Sequence, residues 1–271
     1  MEVDTTEPGP DVASTPVPAP APAKPMAKRS PSAEYAESFL VTILLALFGT
    51  TFIVQAFKIP SQSMEPTLLI GDHLLVNKFI FGGRAAWYEK LLPYRAIRRG
   101  DIIVFKFPFD DHPHYVKRVI GLPGDRVRII NQRVYVNGEP HSEPYVIHDA
   151  AFEDPFGDDF PPTGRYFAEI GLRPEWAEKI LSYVHHGELV VPADRYFVMG
   201  DNRDRSWDSR YWGFVDRDAI MGRPVMIYWS VDAMPEDYPN RGIAAALRAI
   251  GQNLLHLPSR TRWRRMMHEV H

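Results

Sequence analysis

At 271 residues, with 45% hydrophobic residues and a formal net charge of −3, the chain can build the core of one large or two small domains and lacks the basic excess of a nucleic-acid-binding protein. It contains no cysteine, which excludes disulfides, a thiol nucleophile and thiolate metal sites.

Residues 1–35 are rich in Pro, Ala, Ser and Thr and have little to bury against the entropy of ordering, so they read as a disordered tail. Phe39 to Phe57 is an uncharged run of 19 residues, long enough to cross a bilayer as a helix. It starts far from residue 1 and exits as Gln55-Ala56-Phe57-Lys58 instead of an Ala-x-Ala pattern, so 36–58 reads as a retained anchor rather than a cleavable leader. Lys24, Lys28 and Arg29 before the run, against Lys58 close after it, place the tail in the cytoplasm and the remainder outside.

Next comes Ile59-Pro60-Ser61-Gln62-Ser63-Met64-Glu65-Pro66-Thr67-Leu68, where the two prolines exclude regular helix and hold two serines on an extended turn. By itself the stretch fits a positioned nucleophile or a tight exit from a membrane helix. Strand patterns follow at Leu74-Val76, Ile102-Phe107, His114-Ile120, Val127-Ile130 and Arg133-Val136, bounded by Gly, Asn and Pro turn signals. Between the first two, Phe79 to Arg99 sets aromatic among basic residues, as in a loop on a membrane interface or an ordinary surface loop. From His141 to His186 the alternation is lost apart from one helical signal near Pro174-Leu181. Strands resume at Leu189-Val191, Tyr196-Met199 and Ala219-Trp229. The expected organisation is mostly β, with a core in two parts (59–130 and 191–238) around a smaller inserted domain (131–190). Over 239–271, Ile243, Leu247, Ile250 and Leu254 recur at helical spacing among arginines. They predict a basic amphipathic helix packed on its own domain or laid on anionic lipid.

A serine hydroxyl needs a base to become a nucleophile. Histidine is not an obvious one: no Gly-x-Ser-x-Gly elbow occurs, and neither His112-x-His114 nor His185-His186 has a supporting carboxylate pattern for a metal. Lysine is the stronger candidate. On the strand Tyr115-Val116-Lys117-Arg118-Val119, the period of two puts Lys117 on an apolar face with Tyr115 and Val119, while Arg118 points the other way. Desolvation of a single amine, worth about 3 kcal/mol, lowers its pKa from about 10.4 to about 8. The competing reading is a lysine that snorkels to solvent from an edge strand. The third stretch, Gly200-Asp201-Asn202-Arg203-Asp204-Arg205-Ser206-Trp207-Asp208-Ser209-Arg210-Tyr211-Trp212-Gly213, fails as a calcium loop. It has Trp207 where glycine is needed, Gly213 where glutamate is needed, and arginines between the acids. It reads instead as a network of charge-assisted hydrogen bonds that stiffens a site.

Behind a membrane run, these three stretches together resemble the bacterial type I signal peptidases (leader peptidases), a family of membrane-anchored Ser/Lys proteases. Residues 60–68 resemble the nucleophile box, 115–125 the lysine box and 200–213 the Gly-Asp-Asn-Arg box. The resemblance implies that Ser63 is the nucleophile and Lys117 its general base. It also implies that Ser61 joins the Ser63 backbone N–H in the oxyanion hole, that Ser206 orients the lysine amine, and that Asp201, Asp208 and Arg210 support the site. The implied partners are signal-peptide-bearing preproteins, accepted through small residues one and three positions before the cut, and the lipid bilayer. No cofactor, metal or nucleic acid is implied. The implied location is the bacterial inner membrane, single-pass, with the catalytic part on the outer side. A narrower Ser/Lys processing protease, acting on a pilin or conjugation component, and a non-enzymatic anchored binding protein are the alternatives. Two departures stand out: a single span behind a long tail, where some members have two, and a basic C-terminal extension outside the shared boxes.

Overall fold

The apolar run changes structure partway along. Helix α1 (Pro31–Phe48) passes into a π-helical turn at Gly49–Ile53, and the next five residues form strand β1 (Val54–Lys58). Pro31 suits the first helical position because its missing N–H would be unpaired there anyway. The hydroxyls of Thr42 and Thr50 bond back to the carbonyls of Ser38 and Ala46, at 2.8 and 2.9 Å. These facts come from a computed structural model that describes residues 30–82, 94–107, 114–149, 151–152, 154–156, 159–162, 171–232 and 259–271. Among them no helix is long and apolar enough to cross a membrane. The anchor expected to run to residue 58 therefore stops being helical at Ile53. Val54–Lys58 pairs residue by residue with β2 (Asp72–Asn77) because a sheet edge satisfies its backbone and suits Val54 and Phe57.

Leu45–His271 is one compact unit. The remaining strands are β3 (Ile102–Phe105), β4 (Tyr115–Gly121), β5 (Arg126–Ile130), β6 (Arg133–Val136), β7 (Glu139–Pro140), β8 (Asp159–Phe160), β9 (Val184–His185), β10 (Glu188–Val190), β11 (Arg195–Met199), β12 (Val215–Asp216), β13 (Ile220–Ser230) and β14 (His268–Glu269). The first sheet has the order β1-β2-β13-β3-β4-β11-β12, with β14 also on β13; the second has the order β7-β6-β5-β10-β9, with β8 on β5. All named pairings are antiparallel. The chain is thus mostly β, and its other α-helices lying wholly among the described residues are the short α2 (Pro174–Ala177) and α3 (Ser209–Trp212). The second sheet draws on the stretch expected as an inserted domain (131–190) and also takes up β5 (Arg126–Ile130), which precedes it.

Four consecutive residues of β3 are buried because both faces of the first sheet are covered. Ile103 and Phe105 pack with Val119, Val198 and Trp212 on one face, and Ile102 and Val104 with Ile59, Met64, Leu68 and Val270 on the other. A third cluster joins Ile120, Phe197 and Met199 to Val127, Ile129, Phe156, Phe160 and Trp176, so the two sheets share a core. Of the basic C-terminal segment, Ser259 and Arg260 are helical, and the described residues after them leave the α-helix. Residues 259–271 contain a tight turn at Trp263–Arg265 and then β14, which pairs with β13 and buries Val270. The helical pattern at 241–258, the tail at 1–29, the loop aromatics between 83 and 93, and His112 lie outside the described residues.

Candidate active site

Strand β4 lies inside the first sheet, paired on one side with β3 (Ile103 opposite Lys117) and on the other with β11 (Met199 opposite Arg118). With both edges paired and both faces covered, alternate side chains enter opposite halves of the interior. Lys117 reaches the Ser63 hydroxyl and Arg118 binds Asp201 of the 200–213 loop, and both are 3% exposed.

The turn that carries Ser63 is held by its own backbone. Ile59 N–H donates to the Asp72 carbonyl and Gly71 N–H to the Ile59 carbonyl, which closes residues 59–72 into a loop. Within it, Gln62–Met64 forms one 3₁₀ turn, and Met64 and Leu68 plug into the core. From the third stretch, Asn202 N–H donates to the Ser63 carbonyl at 3.2 Å. Gly200 has no room for a side chain, since a Cβ there would come within 2.3 Å of both the Ser63 carbonyl oxygen and Ser206 Oγ.

This brings Lys117 Nζ to 2.6 Å from Ser63 Oγ across 54 residues of sequence. Ser61 Oγ lies 3.4 Å from Ser63 Oγ. Among the described residues the amine has no salt bridge; burial lowers its pKa from the ordinary 10.5 to about 8, and the opposed charges of Asp208, Arg210 and Asp201 are smaller influences. A cleft of about 420 Å³ opens on the pair, walled by Phe57, Ile59 and Pro60 on one side and His114, Tyr115 and Val116 on the other. The Phe57 and His114 rings meet edge to face at 5.1 Å.

Arg118 is treated differently. Its Nε and Nη2 bind the two oxygens of Asp201 at 2.8 and 2.7 Å, its guanidinium stacks 3.8 Å over the Tyr145 ring, and Asp201 also accepts the Thr67 hydroxyl at 2.6 Å. Asp208 caps α3 through the Arg210 N–H and takes both Nε and Nη2 of Arg210 at 2.8 Å, while Arg210 also pairs with Asp154. Burial would raise the Asp208 pKa, but the Arg210 charge and hydrogen bond outweigh it and hold the carboxyl below its usual range; the pair raises Arg210 in turn. Arg203, bound to Glu143 and to the Gly200 carbonyl, completes the frame.

Of the residues singled out from the sequence, Ser61, Ser63 and Lys117 thus meet at one point, and Asp201, Asp208 and Arg210 form the frame behind it. Ser206 Oγ is buried there without a hydrogen-bond partner among the described residues and makes no bond to the Lys117 amine. Sequence reasoning missed Arg118, Glu143 and Asp154. The signal for Arg118 was a charge on a strand whose neighbours are apolar on both faces, but no spacing marks Glu143 or Asp154 as partners of this loop.

A family model described as "Signal peptidase, peptidase S26" matches residues 32–229. A signal peptidase I of Pseudomonas aeruginosa is 36% identical over 226 residues, covering 76% of each chain. One of Pseudomonas fluorescens is 37% identical over 212 residues, covering 73% of this chain and 72% of the other. A solved signal peptidase I structure from Enterococcus faecalis V583 is 30% identical, covering 48% of this chain and 97% of that one, with a TM-score of 0.31.

Proposed function

Given that the chain belongs to the signal peptidase S26 family and is a serine endopeptidase that cleaves signal peptides, we propose that Ser63 is its nucleophile and Lys117 its general base. The observation that carries this reading is the 2.6 Å approach of a buried, unpaired amine to the Ser63 hydroxyl. With its pKa near 8, a useful fraction of Lys117 is a free amine at neutral pH and accepts the Ser63 O–H proton. Ser63 Oγ then attacks the scissile carbonyl carbon. The tetrahedral oxyanion is held by the Ser61 hydroxyl and the Ser63 N–H. As the C–N bond breaks, the protonated Lys117 gives its proton to the departing amine, the new N-terminus of the mature protein. The Lys117 amine, neutral again, next takes a proton from water and the hydroxide attacks the acyl ester; the ester C–O bond breaks, Lys117 returns the proton to Ser63 Oγ, and the signal peptide leaves as a carboxylic acid that ionises.

Ser206, buried beside the Ser63 carbonyl across Gly200, is the group proposed to steady the lysine once it is an ammonium, whose three N–H donors exceed what Ser63 accepts. The cleft lined by Phe57 and Tyr115 takes the segment before the cut as an extended chain beside β1, the edge strand of the first sheet among the described residues. The bacterial family is membrane-anchored. For this chain the proposed attachment is residues 39–53, whose Phe39, Leu40, Leu44, Leu45, Leu47 and Phe48 are exposed, with the catalytic unit outside the inner membrane and in contact with lipid. The test is cleavage of a preprotein by purified, folded Ser63→Ala and Lys117→Ala proteins: both lose activity if the assignment holds, and normal processing by either refutes it.

A further inference from the structure

The nucleophile turn is closed at Asp72, and something outside the matched 32–229 region holds that closure. The Asp72 carboxylate is fully buried and accepts from the Leu69 N–H at 2.9 Å and the Ser230 hydroxyl at 2.6 Å. Both donors are neutral. Its closest cation is Arg265, with Nη2 at 2.6 Å and Nε at 3.3 Å. Arg262 stands 4.0 Å away and uses its guanidinium on the Ile70 carbonyl and on Asp232.

The same Nη2 of Arg265 donates to the Thr67 carbonyl at 2.9 Å. Thr67 in turn donates its hydroxyl to Asp201, the carboxylate that grips Arg118, next in sequence to Lys117. One guanidinium therefore ties two points of the Ser63 turn to the frame that sets the lysine. The segment bearing Arg265 is itself in register, with Met226 opposite Glu269 and Ile227 opposite His268. It also inserts Val270 into the cluster that holds Ile59, Met64 and Leu68.

We infer that residues 259–271 are a strap that positions the nucleophile turn, with Arg265 as its positioning residue. A buried carboxylate that loses its closest cation, with Arg262 held 4.0 Å away by its other partners, pulls on its remaining donors, and both ends of the turn that carries Ser63 shift. Arg265 touches no reacting atom, so the loss falls on turnover rather than on substrate affinity.

The inference rests on Ser63 being the nucleophile. That reading is checked first and separately, by finding whether a serine-directed acylating inhibitor labels Ser63 in the wild-type protein. The same inhibitor then counts active sites in Arg265→Gln, Arg265→Lys and the neighbouring exposed control Arg264→Gln. Per titrated site, kcat on a signal-peptide substrate should fall on the order of 10-fold to 10²-fold in Arg265→Gln, with KM within about twofold. Arg265→Lys keeps the charge on Asp72 but loses the fork that reaches Thr67, and should fall between Arg265→Gln and wild type. Arg264→Gln should match wild type. A purely structural role would reduce the number of titratable sites and leave kcat per site unchanged, and that result overturns the inference. If Arg265→Gln does not fold, Arg265→Lys decides alone: a severalfold lower kcat at constant KM supports the strap, and an unchanged kcat per site refutes it.

Discussion

Lys117 and Arg118 are consecutive residues on one strand, equally buried, yet they face opposite electrostatic surroundings. Arg118 meets a bidentate carboxylate, an aromatic face and the Gly100 carbonyl, so its charge is fully compensated. Lys117 meets apolar walls and a serine hydroxyl, and the carboxylates of Asp201 and Asp208 act on it only at a distance. Burial with a partner makes a rigid strut, whereas burial without one makes a base.

The largest effect should come from removing the unpaired cation. Lys117→Met keeps the volume and removes the amine; preprotein cleavage should fall on the order of 10⁴-fold, while the thermal midpoint holds or rises because a desolvated amine is gone. Breaking the paired cation should do the reverse. Asp201→Asn leaves the Arg118 guanidinium buried and uncompensated, costing about 3–5 kcal/mol of stability by denaturant unfolding, with activity lost in proportion to the folded fraction and not beyond it. Ser61→Ala should slow turnover about 10²–10³-fold without moving stability, and a change of less than twofold would remove Ser61 from the oxyanion hole.

Stability should also follow pH in a way that separates the two cations. The folded Lys117 pKa, about 8, lies below the ordinary 10.5, so the unfolded chain binds the extra proton between those values. The penalty of burying the amine is then complete below pH 8 and is relieved as pH rises from 8 to 10.5. Wild type should gain stability across that window relative to Lys117→Met, as read from urea midpoints.

Much of this was legible in the sequence because it is local. The strands alternate or run apolar, the turns carry Gly, Asn and Pro, and the period of two already put Lys117 and Arg118 on opposite faces. What was not legible depends on partners far along the chain. Hydropathy cannot distinguish the end of an apolar helix from a strand that begins with Val54, because pairing with β2 decides it. Arg265 looked like one more basic residue of an amphipathic tail, since its meaning lies in a carboxylate 193 residues earlier. Arg118 was read correctly as pointing away from Lys117, but not as buried, because Asp201 lies 83 residues further on.

Whether the Lys117 amine is the working base can be read from the pH dependence of kcat/KM on a signal-peptide substrate. A single ionisation with its midpoint near 8 should appear. Activity should fall about tenfold per unit of pH below that point, as the amine takes up its proton, and level off above it. A midpoint near 6.5, the ordinary histidine value, or continued increase toward the unperturbed lysine value near 10.4 would mean that the buried Lys117 amine is not the base.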